Sequence, residues 1–189
     1  MGEIIRLAGV LTLITGIAAT ALSNVYMLAR DKIAQVESAR EEDARRTALP
    51  QAAVFSADTT ADGFVFYQGW ADSTAAGEPV GYITLALGKG YSSRIRTMVG
   101  VDREKKITGI KIAFQQETPG LGTRIEEVRR GDESPWFQQQ FKGKTREYLE
   151  VVRAADPERI EAITGATISS EAVTSSVRKA VEQLEQVIR

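Results

Sequence analysis

The sequence predicts an α+β protein, in which one N-terminal transmembrane helix precedes a domain with an antiparallel sheet and flanking helices. An uncharged apolar stretch lies near the N-terminus, segments rich in β-branched and aromatic residues follow, and an amphipathic helical pattern ends the chain. Strands that precede the helices, rather than alternating with them, favour α+β. The 189 residues leave room for one compact domain besides the membrane helix.

The first element is the apolar stretch at residues 7–28, which contains no charged residue. At about 1.5 Å per residue it reaches roughly 33 Å, enough to cross the hydrocarbon core of a bilayer. A cleaved signal peptide would have a shorter apolar region and a small-residue cleavage site. Here a polar segment rich in Ala, Glu and Arg follows directly and predicts a continuing helix. We therefore predict a membrane anchor at 1–28, a helical stalk at 29–50 and a globular domain at 51–189.

The next elements are four strands of one antiparallel sheet, predicted by their β-branched and aromatic residues. These strands are expected at 64–70, 80–87, 95–101 and 107–114. The polar residues 102–106 predict a hairpin turn between the last two strands. Before the first strand, Pro50 and residues 58–63 break the pattern.

Helices are predicted for the rest of the chain. Residues 123–130 form a short candidate, and Ser134 followed by Pro135 predicts an N-cap and the first helical position of another. The C-terminal helix has the clearest pattern, since its apolar residues recur at helical spacing. This stripe consists of Val173, Val177, Ala180, Val181, Leu184, Val187 and Ile188.

The composition restricts the chemistry that the chain can perform. It contains no Cys and no His, which excludes an ordinary iron–sulfur cluster, a common structural zinc site and Ser-His-Asp or Cys-His catalysis. We therefore predict no catalytic and no metal-ligating residues. The 24 basic and 25 acidic residues balance, so no nucleic-acid partner is predicted. Redox chemistry in this chain needs an organic cofactor.

The segment ITGATISS, residues 163–170, lies directly before the C-terminal helix. Gly165 permits a tight turn, and Ser169 or Ser170 is predicted to cap the helix. Thr167 is then expected just outside the helix N-terminus, where free N–H groups and the helix dipole favour a phosphate. A capped helix start without any chemistry also fits these residues, and it is the commoner meaning of such a pattern.

A second segment, ETPGLG at residues 117–122, follows the last predicted strand. Pro119 stiffens the backbone, and Gly120 and Gly122 let it approach another group closely. A plain turn between a strand and a helix is the alternative interpretation.

Together these segments resemble the FMN-binding domain of the RnfG family, whose members belong to the Rnf electron-transport complex. The sister family is NqrC, of the sodium-pumping NADH:quinone reductase. The resemblance covers the anchor and four motifs in order. These are GKGYSSRIRTMVGVDREKKITGI at 88–110, ETPGLG at 117–122, SPWF at 134–137 and ITGATISSEAV at 163–173.

The resemblance implies a covalent FMN, joined by a phosphodiester bond to the last Thr of T-G-A-T, which is Thr167. A flavin transferase would attach it during maturation. The implied cofactor-binding residues come from the same two segments: Thr164, Gly165, Ala166, Ile168 and Ser169, together with Glu117, Thr118, Gly120, Leu121 and Gly122. Two positions depart from the family pattern, because Glu161 replaces a usual Asp and Gln115 replaces a frequent His.

The resemblance also implies the function: an electron-transfer subunit of an ion-translocating Rnf-type ferredoxin:NAD oxidoreductase complex, working with other membrane subunits. It implies a single-pass anchor in the cytoplasmic (inner) membrane and an FMN domain on the extracytoplasmic side. Charges flank the anchor on both sides, so they do not decide its orientation. Two alternatives remain, an NqrC-like subunit and a membrane-anchored scaffold without a cofactor.

Overall fold

The computed structural model describes residues 1–75, 77–154 and 156–188. The chain divides into two compact units, Met1–Arg40 and Glu41–Arg189. Each unit is described by itself.

The first unit is helical and consists of most of helix α1, whose bounds are Gly2–Ala48; residues 41–48 of this helix belong to the second unit. This helix contains a stretch long and apolar enough to cross a membrane. The hydroxyls of Thr12 and Thr20 and the amide of Asn24 each donate to a carbonyl four residues earlier at 2.8 Å. These polar groups are therefore satisfied within the helix, as a lipid environment requires. The helix includes the predicted anchor and also the polar segment 29–47.

The second unit contains a five-stranded antiparallel sheet whose strands lie side by side in chain order. Their bounds are β1 Val54–Thr59, β2 Val65–Trp70, β3 Gly81–Lys89, β4 Arg94–Asp102 and β5 Ile107–Phe114. The four predicted strands and the hairpin turn after β4 are confirmed. In that turn, one oxygen of Asp102 accepts hydrogen bonds from the N–H groups of Glu104 and Lys106 at 2.9 Å.

Short elements and the C-terminal helix complete the unit. They are a 3₁₀-helix Gly122–Glu126, helix α2 Trp136–Gln139, a 3₁₀-helix Arg146–Tyr148, strands β6 Val151–Val152 and β7 Ile160–Glu161, and helix α3 Thr167–Val187. Strands β6 and β7 form a small parallel pair.

Two details of the predicted helices are wrong. The predicted helix at 123–130 is a 3₁₀ turn that ends at Glu126, because Glu127 adopts extended backbone angles. The N-cap lies one residue later than predicted. It is Pro135 rather than Ser134, because Pro135 is itself non-helical, with ψ 121°, and the helix begins at Trp136.

Both faces of the sheet are covered, because alternate side chains of a strand point to opposite faces. On one face Ala86 and Val99 belong to the core that includes the apolar stripe of α3. On the other face Ile83 and Met98 pack with Leu49, which follows α1. The predicted stripe of α3 is buried except for Val187, which is partly buried. This packing holds the start of α3 near the end of β3 and the loop after β5.

Candidate functional site

A cavity of about 530 Å³ lies where the loop after β5 meets the start of α3. Both sequence segments singled out above contribute to its walls. The lining residues are Tyr91, Glu117, Thr118, Leu121, Gly122, Gly165, Ala166, Thr167, Ile168 and Ser169. Its volume falls in the range typical of small-molecule sites, roughly 300 to 1,000 Å³.

Thr167 lies at the helix N-terminus, as the first residue of α3. The sequence placed it just outside the helix; instead Ala166 is the last non-helical residue, with φ −135° and ψ 38°. The Thr167 side chain is half-buried and lines the cavity. Its hydroxyl makes no hydrogen bond within residues 1–75, 77–154 and 156–188.

The backbone of this first turn offers three hydrogen-bond donors. The N–H groups of Thr167, Ile168 and Ser169 have no acceptor in the described part of the chain. The first N–H to be satisfied is that of Ser170, which donates to the Ala166 carbonyl at 3.0 Å. Free N–H groups and the positive end of the helix dipole together favour a bound phosphate.

Neither Ser169 nor Ser170 is a cap, because α3 begins at Thr167, three or four residues earlier than those caps require, and no side chain caps it. The Ser170 hydroxyl accepts from the Ile163 N–H and donates to the Ala166 carbonyl, both at 3.0 Å. The Ser169 hydroxyl donates to a carboxylate oxygen of Glu117 at 2.7 Å. The Ser170 hydroxyl therefore links the helix to both sides of the T-G-A-T turn, and the Ser169 hydroxyl links the helix to Glu117.

Ser170→Ala is expected to lower the free energy of unfolding by about 1 to 3 kcal/mol, because it leaves the buried Ile163 N–H without its acceptor. Ser176→Ala is the matched control. Its buried hydroxyl only donates to a carbonyl of its own helix, at 2.9 Å, so its loss should cost less. Chemical denaturation of the full chain in detergent measures both, and equal costs would contradict the role assigned to Ser170.

Glu117 is the most heavily bonded side chain of the site, and only 4% of its surface is exposed. One carboxylate oxygen accepts from the N–H groups of Ser92 and Ser93 at 3.1 and 2.9 Å, and from the Ser93 hydroxyl at 2.9 Å. The other accepts from the Tyr91 N–H at 3.0 Å and the Ser169 hydroxyl at 2.7 Å. The carboxylate thus joins the turn between β3 and β4 to the start of α3.

These bonds determine the charge of Glu117. Burial by itself raises the pKa of the carboxyl group, but hydrogen bonds from the Ser169 hydroxyl and from the backbone of Ser93 and Tyr91 together lower the pKa below its usual value. The side chain is therefore a carboxylate at neutral pH.

Three apolar or aromatic side chains at the cavity are exposed. Tyr91, Leu121 and Ile168 retain 73%, 47% and 52% of their accessible surface. Exposed large apolar side chains gathered at a cavity are typical of a surface that another apolar group covers.

Nine of the predicted binding residues line the cavity, whereas Thr164 and Gly120 do not. Thr164 is exposed and its carbonyl accepts from the Arg124 guanidinium at 3.2 Å. The Gly120 N–H donates to the Thr123 hydroxyl at 3.0 Å. Tyr91 was missed as a site residue, although the motif that contains it was recognised. Its N–H reaches the Glu117 carboxylate only in the folded chain, because the two residues are 26 positions apart in the sequence.

The two departures from the family pattern lie outside the cavity walls. The Gln115 amide donates to a carboxylate oxygen of Glu126 at 2.7 Å, and its carbonyl oxygen accepts from the Glu117 N–H at 2.8 Å. Gln115 therefore supports the loop as an uncharged side chain. Glu161 lies in β7, where its N–H donates to Gln140 at 2.7 Å.

Comparison with known proteins identifies relatives of the chain. A family described as an FMN-binding domain matches residues 90–182. The G subunit of the proton-translocating ferredoxin:NAD(+) oxidoreductase complex of Clostridium ljungdahlii is 35% identical over 116 residues, covering 61% of this chain and 59% of the relative. The G subunit of the Na(+)-translocating ferredoxin:NAD(+) oxidoreductase complex of Acetobacterium woodii is 32% identical over 200 residues, covering 95% and 90%.

A solved structure shares the fold. The C subunit of the Na(+)-translocating NADH-quinone reductase from Parabacteroides distasonis aligns with a TM-score of 0.50 at 24% identity. The alignment covers 66% of this chain and 62% of that one. At this identity the likeness concerns the fold alone.

Proposed function

The chain belongs to the G-subunit family of ion-translocating ferredoxin:NAD(+) oxidoreductase complexes, and on that basis we propose that it is an electron-transfer subunit carrying FMN bonded covalently to Thr167. The observation that carries the proposal is the half-buried, unbonded Thr167 hydroxyl, at a helix N-terminus and at the wall of a cavity of about 530 Å³.

The residues of the cavity fit FMN in three respects. The N–H groups of Thr167, Ile168 and Ser169 suit the phosphate, which keeps one negative charge as a diester. The Thr167 hydroxyl supplies the oxygen for the ester bond. The exposed side chains of Leu121 and Tyr91 offer apolar contacts for the ring system.

Each part of the chain then has a defined task. The start of α3 would hold the phosphate, and the loop at 117–122 would contact the ring system and limit its contact with water. When bound, FMN would supply reversible electron acceptance, and the sequence has no Cys from which a redox-active disulfide could form.

The reaction of the whole complex requires partners. No G-x-G-x-x-G fingerprint opens a helix in this sequence, so nicotinamide chemistry belongs to another subunit. We propose that α1 anchors the chain in the cytoplasmic membrane beside the other membrane subunits. The FMN domain faces the extracytoplasmic side, where a flavin transferase attaches the cofactor.

The intact mass of the full chain, produced together with a flavin transferase, tests the proposal. We expect one added mass equal to FMN minus water, and a yellow colour that remains with the protein after denaturation. Colour released on denaturation would contradict the covalent bond, and a colourless chain of unmodified mass would favour the cofactor-free scaffold.

A further inference from the structure

The Glu117 carboxylate joins three parts of the cavity that are distant in sequence. It belongs to the loop after β5, it accepts the N–H groups of residues 91–93 between β3 and β4, and it accepts the Ser169 hydroxyl in the first turn of α3. It is itself a lining residue of the cavity. A change at this one side chain therefore affects every wall.

The negative charge of this carboxylate is not neutralised by a cation. Among the described residues, the ion pairs formed by Lys and Arg side chains do not include Glu117. Its bonds come from N–H and O–H dipoles, which stabilise the charge without cancelling it. Since the group is buried, solvent screens it less than an exposed charge.

Resting on the proposed function, we propose that Glu117 is a positioning residue of the flavin site, and that its fixed negative charge makes the bound flavin harder to reduce. Reduction transfers electrons from a donor to the flavin and so increases negative charge beside the carboxylate. A buried anion at the wall of the cavity opposes that change, which lowers the midpoint potential. A low potential suits a carrier in a complex of ferredoxin:NAD(+) oxidoreductase type.

Glu117→Gln tests the charge, because it keeps the shape and one acceptor oxygen. Ser93→Ala is the matched control, since it removes the hydrogen bond from the Ser93 hydroxyl to the same carboxylate, and also the one that this hydroxyl accepts from the Gln116 N–H at 2.9 Å, while it leaves the charge in place and changes no lining residue. Both full-length chains are loaded with FMN and titrated with dithionite while absorbance is followed. We expect a more positive midpoint potential for Glu117→Gln and little change for Ser93→Ala. Equal potentials for wild type and Glu117→Gln, or an equal shift in Ser93→Ala, would overturn the electrostatic role.

A second measurement uses no flavin. In a chain that carries Thr167→Ala, hydrogen exchange of the amides at 91–93 is compared with and without Glu117→Gln. We expect exchange to become ~10-fold faster or more without the carboxylate, because the amide side chain matches fewer of these donors. Unchanged exchange would overturn the positioning role. Because the experiment uses a chain without flavin, this result does not depend on the cofactor being bound.

The two measurements separate this inference from the proposed function. If the wild-type chain takes up no FMN, the proposed function fails and the electrostatic role fails with it. The exchange experiment still decides whether Glu117 holds the walls together.

Discussion

Thr167→Ala is expected to abolish covalent flavin and to leave the domain folded. The Thr167 hydroxyl makes no hydrogen bond within the described part of the chain, so its loss leaves no buried partner unsatisfied. Alanine is also a good helix former, so the first turn of α3 loses little. The free energy of unfolding of the flavin-free chain should change by less than about 1 kcal/mol.

The measurement is mass spectrometry of a tryptic digest. In the wild-type chain, the peptide at 160–178 should carry the mass of FMN minus water, and fragmentation should place it on Thr167. In Thr167→Ala the same peptide should be unmodified, with unchanged far-UV circular dichroism. An added mass found on Thr164 or on a serine would contradict the assignment.

Thr164→Ala is the matched control, because it changes the other threonine of the same motif. The Thr164 side chain is exposed. The hydrogen bond from the Arg124 guanidinium goes to the Thr164 backbone carbonyl, which alanine retains. We expect the acceptor atom to remain and some flavin to be attached, with a lower yield if the transferase recognises the motif. If neither variant carries any flavin, the yield of flavinylation does not distinguish the two threonines. The fragmentation of the wild-type peptide then decides which of them carries the FMN.

The sheet and the last helix could be predicted because their burial follows a simple period. Strand β5 was predicted with its observed bounds, and the stripe of α3 is buried as expected. Strand β1 was missed because it is an edge strand whose last four residues are exposed, so it carries no apolar alternation. Strands β6 and β7 have two residues each, too few for a pattern.

The candidate site could be predicted only in part, for a different reason. Local patterns identified both segments, but their meeting depends on the packing of α3 against β3 and β4. Ser169 and Ser170 were predicted as caps because serine often has that role. In the fold their hydroxyls bond to Glu117 and Ile163 instead. Both hydroxyls thus bond to groups outside the first turn of the helix instead of capping it. A short window of the sequence around the two serines does not show which groups the fold brings to them.

Gly122→Ala is expected to disrupt the whole site. A Cβ atom at this position would lie 2.6 Å from the Cβ of Glu117, 2.7 Å from the Ser169 hydroxyl oxygen and 2.8 Å from a carboxylate oxygen of Glu117. The Glu117 Cβ is fixed by its backbone, so the carboxylate must leave its donors. Overpacking together with lost hydrogen bonds should cost about 3 kcal/mol or more of unfolding free energy. The flavin content should fall with it.

Gly120→Ala separates this steric effect from backbone strain two residues away in the same loop. Gly120 has φ +75°, and no atom lies within 4 Å of a Cβ placed there. Alanine at this position should lower the free energy of unfolding by about 1 to 2 kcal/mol through its left-handed backbone conformation, and it displaces no neighbouring atom. Flavin content from the intact mass and denaturation of both full chains in detergent make the comparison. A Gly122→Ala chain with wild-type stability and flavin content, or a greater loss from Gly120→Ala, would contradict the geometry described for Glu117 and Ser169.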